Sequence, residues 1–158
     1  MIYTIKLGGI NMEIERKYLV KNIPGNLKDF PCRSMEQGYL STAPVIRIRK
    51  DQDCYELTYK SKGLMIREEY NLPLTADAYG HLLKKIDGRL IKKDRYMIPL
   101  KDGLTAELDI FKEELAPLVL AEVEFPDEES ARAFTPPDWF GEDVTFSGKY
   151  HNSHLSRF

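Results

Sequence analysis

Only two cysteines occur, Cys32 and Cys54, and they form no C-x-x-C pair and no Cys/His spacing. Neither a zinc site nor a disulfide scaffold is signalled, and reduced thiols in a cytoplasm fit this usage. There is no run of 18 or more apolar residues, hence no transmembrane helix and no membrane partner. The stretch Met1–Ile10 lacks a basic n-region ahead of an apolar h-region, and it lacks a small-residue cleavage site. The chain therefore reads as soluble, cytoplasmic and not exported. Neither sign of charge dominates: 23 Lys and Arg stand against 25 Asp and Glu. Proteins that coat nucleic acid carry a clear basic excess, so nucleic acid is not the expected partner. Local sorting can still hide an anion site inside a neutral total. Internal repeats, low-complexity tracts and linkers are also missing.

What is present is enough for one domain with a core: 158 residues, 42% of them hydrophobic. Period-two alternation predicts strands at Glu13–Val20, Ser34–Tyr39, Val45–Lys50, Cys54–Tyr59, Ile66–Leu72, Leu90–Ile98, Leu104–Phe111 and Leu118–Phe125. Helices are expected at Thr75–Ile86, closed by Gly88, and at about Asp127–Phe134 before Pro136-Pro137, with a short third over Lys149–Leu155. This is an α+β chain, an antiparallel sheet or barrel with a few flanking helices. The regular pattern starts at Met12, so residues 1–11 read as an upstream extension or an extra strand, and residues 12–158 as a single domain.

Side chains at i and i+2 share one face of a strand. By that rule Glu13, Glu15 and Lys17 lie together, as do Arg47 with Arg49, Lys93 with Arg95, Glu107 with Asp109, and Glu122 with Glu124. For any one strand a charged face is ordinarily the wet side of a sheet. A solvated face would mix signs, however, because adjacent like charges repel. The alternative is a barrel with its charges inward. Buried charge needs partners, and a polyanion for the bases with divalent cations for the carboxylates supplies both. Hard oxygen donors suit Mg²⁺, Mn²⁺ or Ca²⁺.

Glu13-Ile14-Glu15-Arg16-Lys17 resembles the E-x-E-x-K signature of the CYTH family, the triphosphate tunnel metalloenzymes. The resemblance continues through Gln37-Gly38-Tyr39-Leu40, Arg47-Ile48-Arg49, Leu57-Thr58-Tyr59-Lys60, Arg67-Glu68-Glu69-Tyr70 and Lys93-Asp94-Arg95-Tyr96. It runs on through Glu107–Phe111, Ala121–Glu124 and Gly141–Thr145 to Tyr150-His151-Asn152-Ser153. The family includes class IV adenylate cyclases, thiamine triphosphatases and inorganic tripolyphosphatases, and its fold is an antiparallel eight-stranded tunnel with a charged lumen. The resemblance implies that Glu13, Glu15 and Glu124 hold an activating Mg²⁺ or Mn²⁺. It makes Glu69, Glu107, Asp109 and Glu122 ligands for a second metal or groups that position the nucleophile. Lys17, Arg47, Arg49, Lys60, Lys93 and Arg95 become the phosphate cradle, Lys93 also being counted with the catalytic set.

Two positions depart from the pattern. Asn71 stands where a second glutamate is common, which bears on the second metal, and Glu142 stands where many relatives have lysine. The expected function is metal-dependent hydrolysis of inorganic tripolyphosphate or a nucleoside triphosphate such as ATP, by a monomer or homodimer. A class IV-type cyclase making cyclic AMP and pyrophosphate is the alternative from the same cradle, although no adenine-reading element is visible. A non-catalytic polyphosphate or nucleotide-binding protein is the third. His81, His151 and His154 read as surface residues, Tyr39 as packing, and Trp139 as a core plug under the last loop.

Overall fold

A strand with one charged and one apolar face leaves two opposite surfaces to satisfy, and the sheet does so by closing on itself. The structure, a computed structural model, describes residues 12–157. Residues 1–11, read above as an extension or extra strand, lie outside that range. Strands β1 (Met12–Val20), β2 (Cys32–Thr42), β3 (Val45–Asp51), β4 (Cys54–Lys60), β5 (Ile66–Leu74), β6 (Asp87–Pro99), β7 (Thr105–Phe111) and β8 (Val119–Glu124) pair antiparallel. Their order is β5-β4-β3-β2-β6-β7-β8-β1. The ring closes where Met12, Glu13 and Ile14 of β1 pair with Glu68, Arg67 and Ile66 of β5. The eight-stranded barrel implied by the family resemblance, one of the two arrangements the alternation left open, is therefore formed.

A ninth strand, β9 (Phe140–Asp143), is not among those predicted. It continues the sheet beyond β1, with Tyr18 facing Asp143 and Val20 facing Phe140. Four residues are too few to display a period. Gly141 permits the approach: a Cβ there would stand 3.1 Å from the Leu19 carbonyl oxygen.

The helices are α1 (Ala76–Leu83), α2 (Glu128–Ala133) and α3 (Asn152–Leu155). Caps start the first two, with Thr75 Oγ1 accepting from Ala78 N and Asp127 Oδ1 from Ser130 N. α1 stops at Leu83, short of the predicted Ile86, and Gly88 belongs to β6 instead of closing the helix. Its φ is +69° and a Cβ would lie 2.1 Å from the Ser156 carbonyl oxygen. That carbonyl accepts from Arg89 N at 2.7 Å, tying the C-terminal segment to the barrel. Gly88→Ala is expected to cost about 2 kcal/mol from left-handed strain and the clash together, about 5 °C in a thermal melt. An unchanged melt would show that the C-terminal segment can shift freely.

The outward apolar face is covered on one side by α2. Tyr18, Ile98, Leu108, Ala121 and Val123 pack there with Phe125 and Phe140, and Trp139 sits edge-on to Phe140 at 4.3 Å. α1 covers β3 and β4, where the Tyr79 ring meets Tyr55 and its hydroxyl donates to Glu36. A second apolar cluster of Tyr39, Val45, Ile91, Phe111 and Leu120 packs against Tyr150 and Leu155. Tyr39 and Val45 also line the barrel's charged interior, so the C-terminal segment closes an apolar floor at one end of it. Among the described residues no helix is long and apolar enough to cross a membrane.

Candidate active site

Twelve of the thirteen residues singled out in the sequence line one lumen of about 170 Å³. That volume is small beside pockets for drug-sized molecules and suits a compact polar ligand. Three of the twelve come from β1 (Glu13, Glu15, Lys17), two each from β3 (Arg47, Arg49), β6 (Lys93, Arg95) and β8 (Glu122, Glu124), and one each from β4 (Lys60), β5 (Glu69) and β7 (Glu107). The thirteenth, Asp109, is fully buried and is not part of the lumen wall. It lies against Lys93 Nζ at 2.5 Å and against the Arg95 guanidinium at 2.6 and 2.7 Å. Its place is that of a fixed counter-ion beneath two lumen cations.

Register brings the carboxylates together. Glu15 faces Glu124 across the β1–β8 ladder, Lys17 faces Glu122, and Glu122 faces Glu107 across β7–β8. Glu122 is held by Lys17 at 3.0 Å and by Arg95 at 3.2 Å, which take its carboxyl well below the ordinary range despite burial. Glu107 pairs with Arg95. Glu13, Glu15 and Glu124 are less well served. Burial, then the Glu15 charge, push Glu13 up to about 8 even with Lys60 at 2.6 Å. Burial and Glu122 raise Glu15, while desolvation and Glu107 raise Glu124 at the exposed rim. Glu69 goes the other way: against burial, Lys60 and hydrogen bonds from Glu13 and Asn71 bring it down to about 2.

The oxygen donors of Glu13, Glu15 and Glu124 fit a hard divalent cation, whose charge would offset the burial and the acid neighbours that raise them. The cage is not preassembled: among the described residues no three His, Cys, Asp or Glu groups already converge on a common point. Lys60 stands between Glu13 and Glu69 instead.

The basic side has its own imbalance. Burial and the neighbouring Arg95 lower Lys93 to about 8, although Asp109 opposes this. Arg49 is paired with Glu56 at 2.9 Å. Arg47 bonds Thr58 Oγ1 at 3.1 Å, and its Nε is buried without a hydrogen-bond partner. Arg67 donates to the Ser61 carbonyl. Among the described residues neither Arg47 nor Arg67 has a carboxylate within ion-pair distance. Two cations in the wall of a narrow cavity, one of them with a buried N–H left unpartnered, suit an anion.

The CYTH domain family model matches residues 11–158. The chain belongs to the CYTH family. An inorganic triphosphatase of Nitrosomonas europaea is 43% identical to it over 148 residues, spanning 91% of this chain and 96% of its own. Another, from Acetivibrio thermocellus, is 33% identical over 149 residues, spanning 90% and 92%. A crystal structure of an inorganic triphosphatase superposes with a TM-score of 0.69 at 38% identity, covering 94% of this chain and 97% of the other.

Several residues of this CYTH lumen escaped the sequence reading. Arg67 shares strand parity with Glu69 and lies in the Arg67-Glu68-Glu69-Tyr70 stretch, yet it is given no role there. Gln37 and Tyr39 lie in a recognised stretch of β2, and Tyr39 serves both the lumen and the apolar floor. His151, read as a surface residue, instead lines the lumen together with Asn152 and Ser153. No periodicity marks it, since a loop residue is aimed by tertiary packing alone. His81 is exposed, as expected. Of the two departures, Asn71 lies outside the lumen wall and braces Glu69 with a 2.6 Å hydrogen bond. Glu142 is exposed on β9, away from the lumen.

Proposed function

We propose that this CYTH protein is a divalent-metal-dependent phosphoanhydride hydrolase whose substrate is inorganic tripolyphosphate. The observation that carries this is the juxtaposition of cations lacking an anion, Arg47 and Arg67, with Glu13, Glu15 and Glu124, whose carboxyls burial and neighbouring acids raise despite Lys60 and Lys17. A triphosphate that arrives with Mg²⁺ or Mn²⁺ satisfies both. The wall is almost wholly polar and the cavity small, which favours an inorganic polyphosphate over a nucleotide with a base to bury. The names of the curated relatives point the same way.

In this reading Arg47, Arg67, Arg49, Lys17, Lys60, Lys93 and Arg95 grip the phosphate oxygens and keep the chain of phosphates in line. Glu13, Glu15 and Glu124 hold the metal, which supplies Lewis-acid neutralisation of the substrate's charge. Glu69 and Glu107 remain available to orient water. Asp109 and Glu122 are committed to Lys93, Arg95 and Lys17 and keep those cations fixed, a positioning role. Water's oxygen bonds to the terminal phosphorus as the bridging P–O bond breaks, giving orthophosphate and pyrophosphate, with the proton released to solvent. Phosphoryl transfer of this kind depends on placement and charge far more than on covalent help from the protein. The exposed, free thiols of Cys32 and Cys54 suit a cytoplasmic enzyme.

Product analysis after incubation with tripolyphosphate or ATP, each with Mg²⁺ or Mn²⁺, tests the proposal. Orthophosphate and pyrophosphate from tripolyphosphate are expected. Cyclic AMP from ATP would install the cyclase instead, and tight binding without any product would leave a binding protein.

Lys93 gives the reaction a pH signature. Its cation is present below about 8 and is lost above it. The value of kcat/KM for tripolyphosphate is therefore expected to fall as pH rises through about 8. Lys93→Arg, whose charge does not titrate there, should flatten that limb. An identical alkaline limb in both proteins would remove Lys93 from the cradle.

A further inference from the structure

The inner end of the lumen is built by the C-terminal segment, which the cradle of β-strand residues does not account for. Tyr150 and Leu155 pack on the apolar floor, and this turns His151, Asn152 and Ser153 toward the cavity. Lys17 fixes the segment from the barrel side: its Nζ donates to the Tyr150 carbonyl at 3.4 Å, and its backbone N–H donates to Thr145 Oγ1 at 3.0 Å. Asn152 Oδ1 is buried with no hydrogen-bond partner. The groups facing the His151 ring are Lys17 from β1, Arg67 from β5, Glu122 from β8 and the backbone at Thr145. Glu122 is already held by Lys17 and Arg95, and Arg67 has no ion-pair partner among the described residues.

An imidazole in that company stays uncharged. Burial, then Lys17 and Arg67, bring His151 down to about 4. A phosphate group settling among Lys17, Arg67 and His151 reverses the balance, since its negative charge cancels the two cations that kept the ring neutral.

We propose that His151 is a phosphate ligand at the inner end of the lumen, which a polyphosphate meets together with Lys17 and Arg67. The inference rests on the triphosphate reading and adds to it a residue outside the strand motifs and a proton count. Binding becomes linked to proton uptake, so affinity rises as pH falls from about 6 toward 4. The fully protonated complex gains one more charge-assisted hydrogen bond, N⁺–H to phosphate oxygen.

The test uses the full chain with Mg²⁺ and imidotriphosphate, a tripolyphosphate whose bridging oxygens are replaced by NH and which is not hydrolysed. The His151 Cε1–H resonance, assigned by its loss in His151→Asn, is followed by proton NMR as a function of pH with and without the probe. Its midpoint is expected near 4 in the free protein and about two pH units higher with the probe bound. Calorimetry at about pH 5, between the two midpoints, in buffers of different ionisation enthalpy should show a proton-uptake contribution that disappears in His151→Asn. That variant should bind about tenfold more weakly. His151→Lys, which carries a fixed cation, should recover the affinity without the uptake, a rescue that a purely structural role would not give. Normal binding heat with an unmoved His151 midpoint would overturn the proposal. So would wild-type affinity and proton uptake in His151→Asn. Absence of any binding heat would overturn the triphosphate reading itself, and this inference with it.

Discussion

Glu15→Gln is expected to lower metal-dependent turnover of tripolyphosphate by about a thousandfold while leaving the protein folded, and in metal-free solution more stable than before. The two effects share one cause. Glu15 lies in the lumen with Glu122, Glu107 and Glu13 close by, and burial followed by the Glu122 charge raises its carboxyl above the ordinary 4.5. The folded state therefore binds a proton that the unfolded state releases. By linkage the wild-type protein loses stability as pH rises from 4.5 toward the raised value. Glutamine keeps the shape and removes that charge, so the gap in melting temperature between variant and wild type should widen with pH, reaching a few degrees. A divalent cation should close the gap by stabilising only the wild type. Turnover is measured by phosphate release and stability by thermal melts with EDTA or Mg²⁺. Unchanged turnover with a native melt would take Glu15 out of the site; a lower melting temperature in EDTA would show that its charge is already compensated within the fold.

Asp109→Asn is expected to act in the opposite sense, through stability first. Asp109 is fully buried and closes on Lys93 at 2.5 Å and on Arg95 at 2.6 Å. Removing one partner of such a cluster leaves cations without water and without a counter-charge, at a cost of about 3–5 kcal/mol. For a chain of this size that is about 10 °C in the melt. Arg95 keeps Glu107 and Glu122, but Lys93 loses its only ion-pair partner among the described residues. Lys93, already down at about 8, then falls further. A lysine lowered in the folded state costs stability while it must carry its proton, and the cost is relieved as pH rises from the folded value toward the ordinary 10.5. The loss in Asp109→Asn should therefore be largest at neutral and acid pH and should shrink on going to alkaline pH. A melt equal to wild type would mean that water enters and solvates the pair. The contrast between the two variants separates carboxylates that hold cations of this chain from carboxylates kept for a metal.

Much of this was open to inspection along the chain. Side-chain direction alternates strictly in a strand, so Glu13, Glu15 and Lys17, or Arg47 and Arg49, had to share a face, and the family resemblance turned those faces inward in a closed barrel. The eight predicted strands form, and the motif residues lie on the lumen side. Alternation weakened where the chain was short or where a glycine served a remote contact. Phe140–Asp143 is too brief to show a period, and Gly88, which looks like a helix stop, is demanded by Ser156 at the far end of the sequence.

The sequence alone determined which charged residues share a face and, through the motif resemblance, the family and with it the barrel, because these depend on local geometry and on the identity of residues at fixed spacing. Which charges neutralise one another was decided only by tertiary structure. Asp109 and Glu107 are indistinguishable by parity, yet one is sealed under Lys93 and Arg95 while the other opens on the cavity. His151 lies in a stretch that resembles the family but on no alternating strand, and reaches the lumen because Tyr150 and Leu155 seat the C-terminal segment on an apolar floor drawn from five strands. Coulomb energies fall with distance across the lumen, and those distances are set by register and closure between strands far apart in the chain.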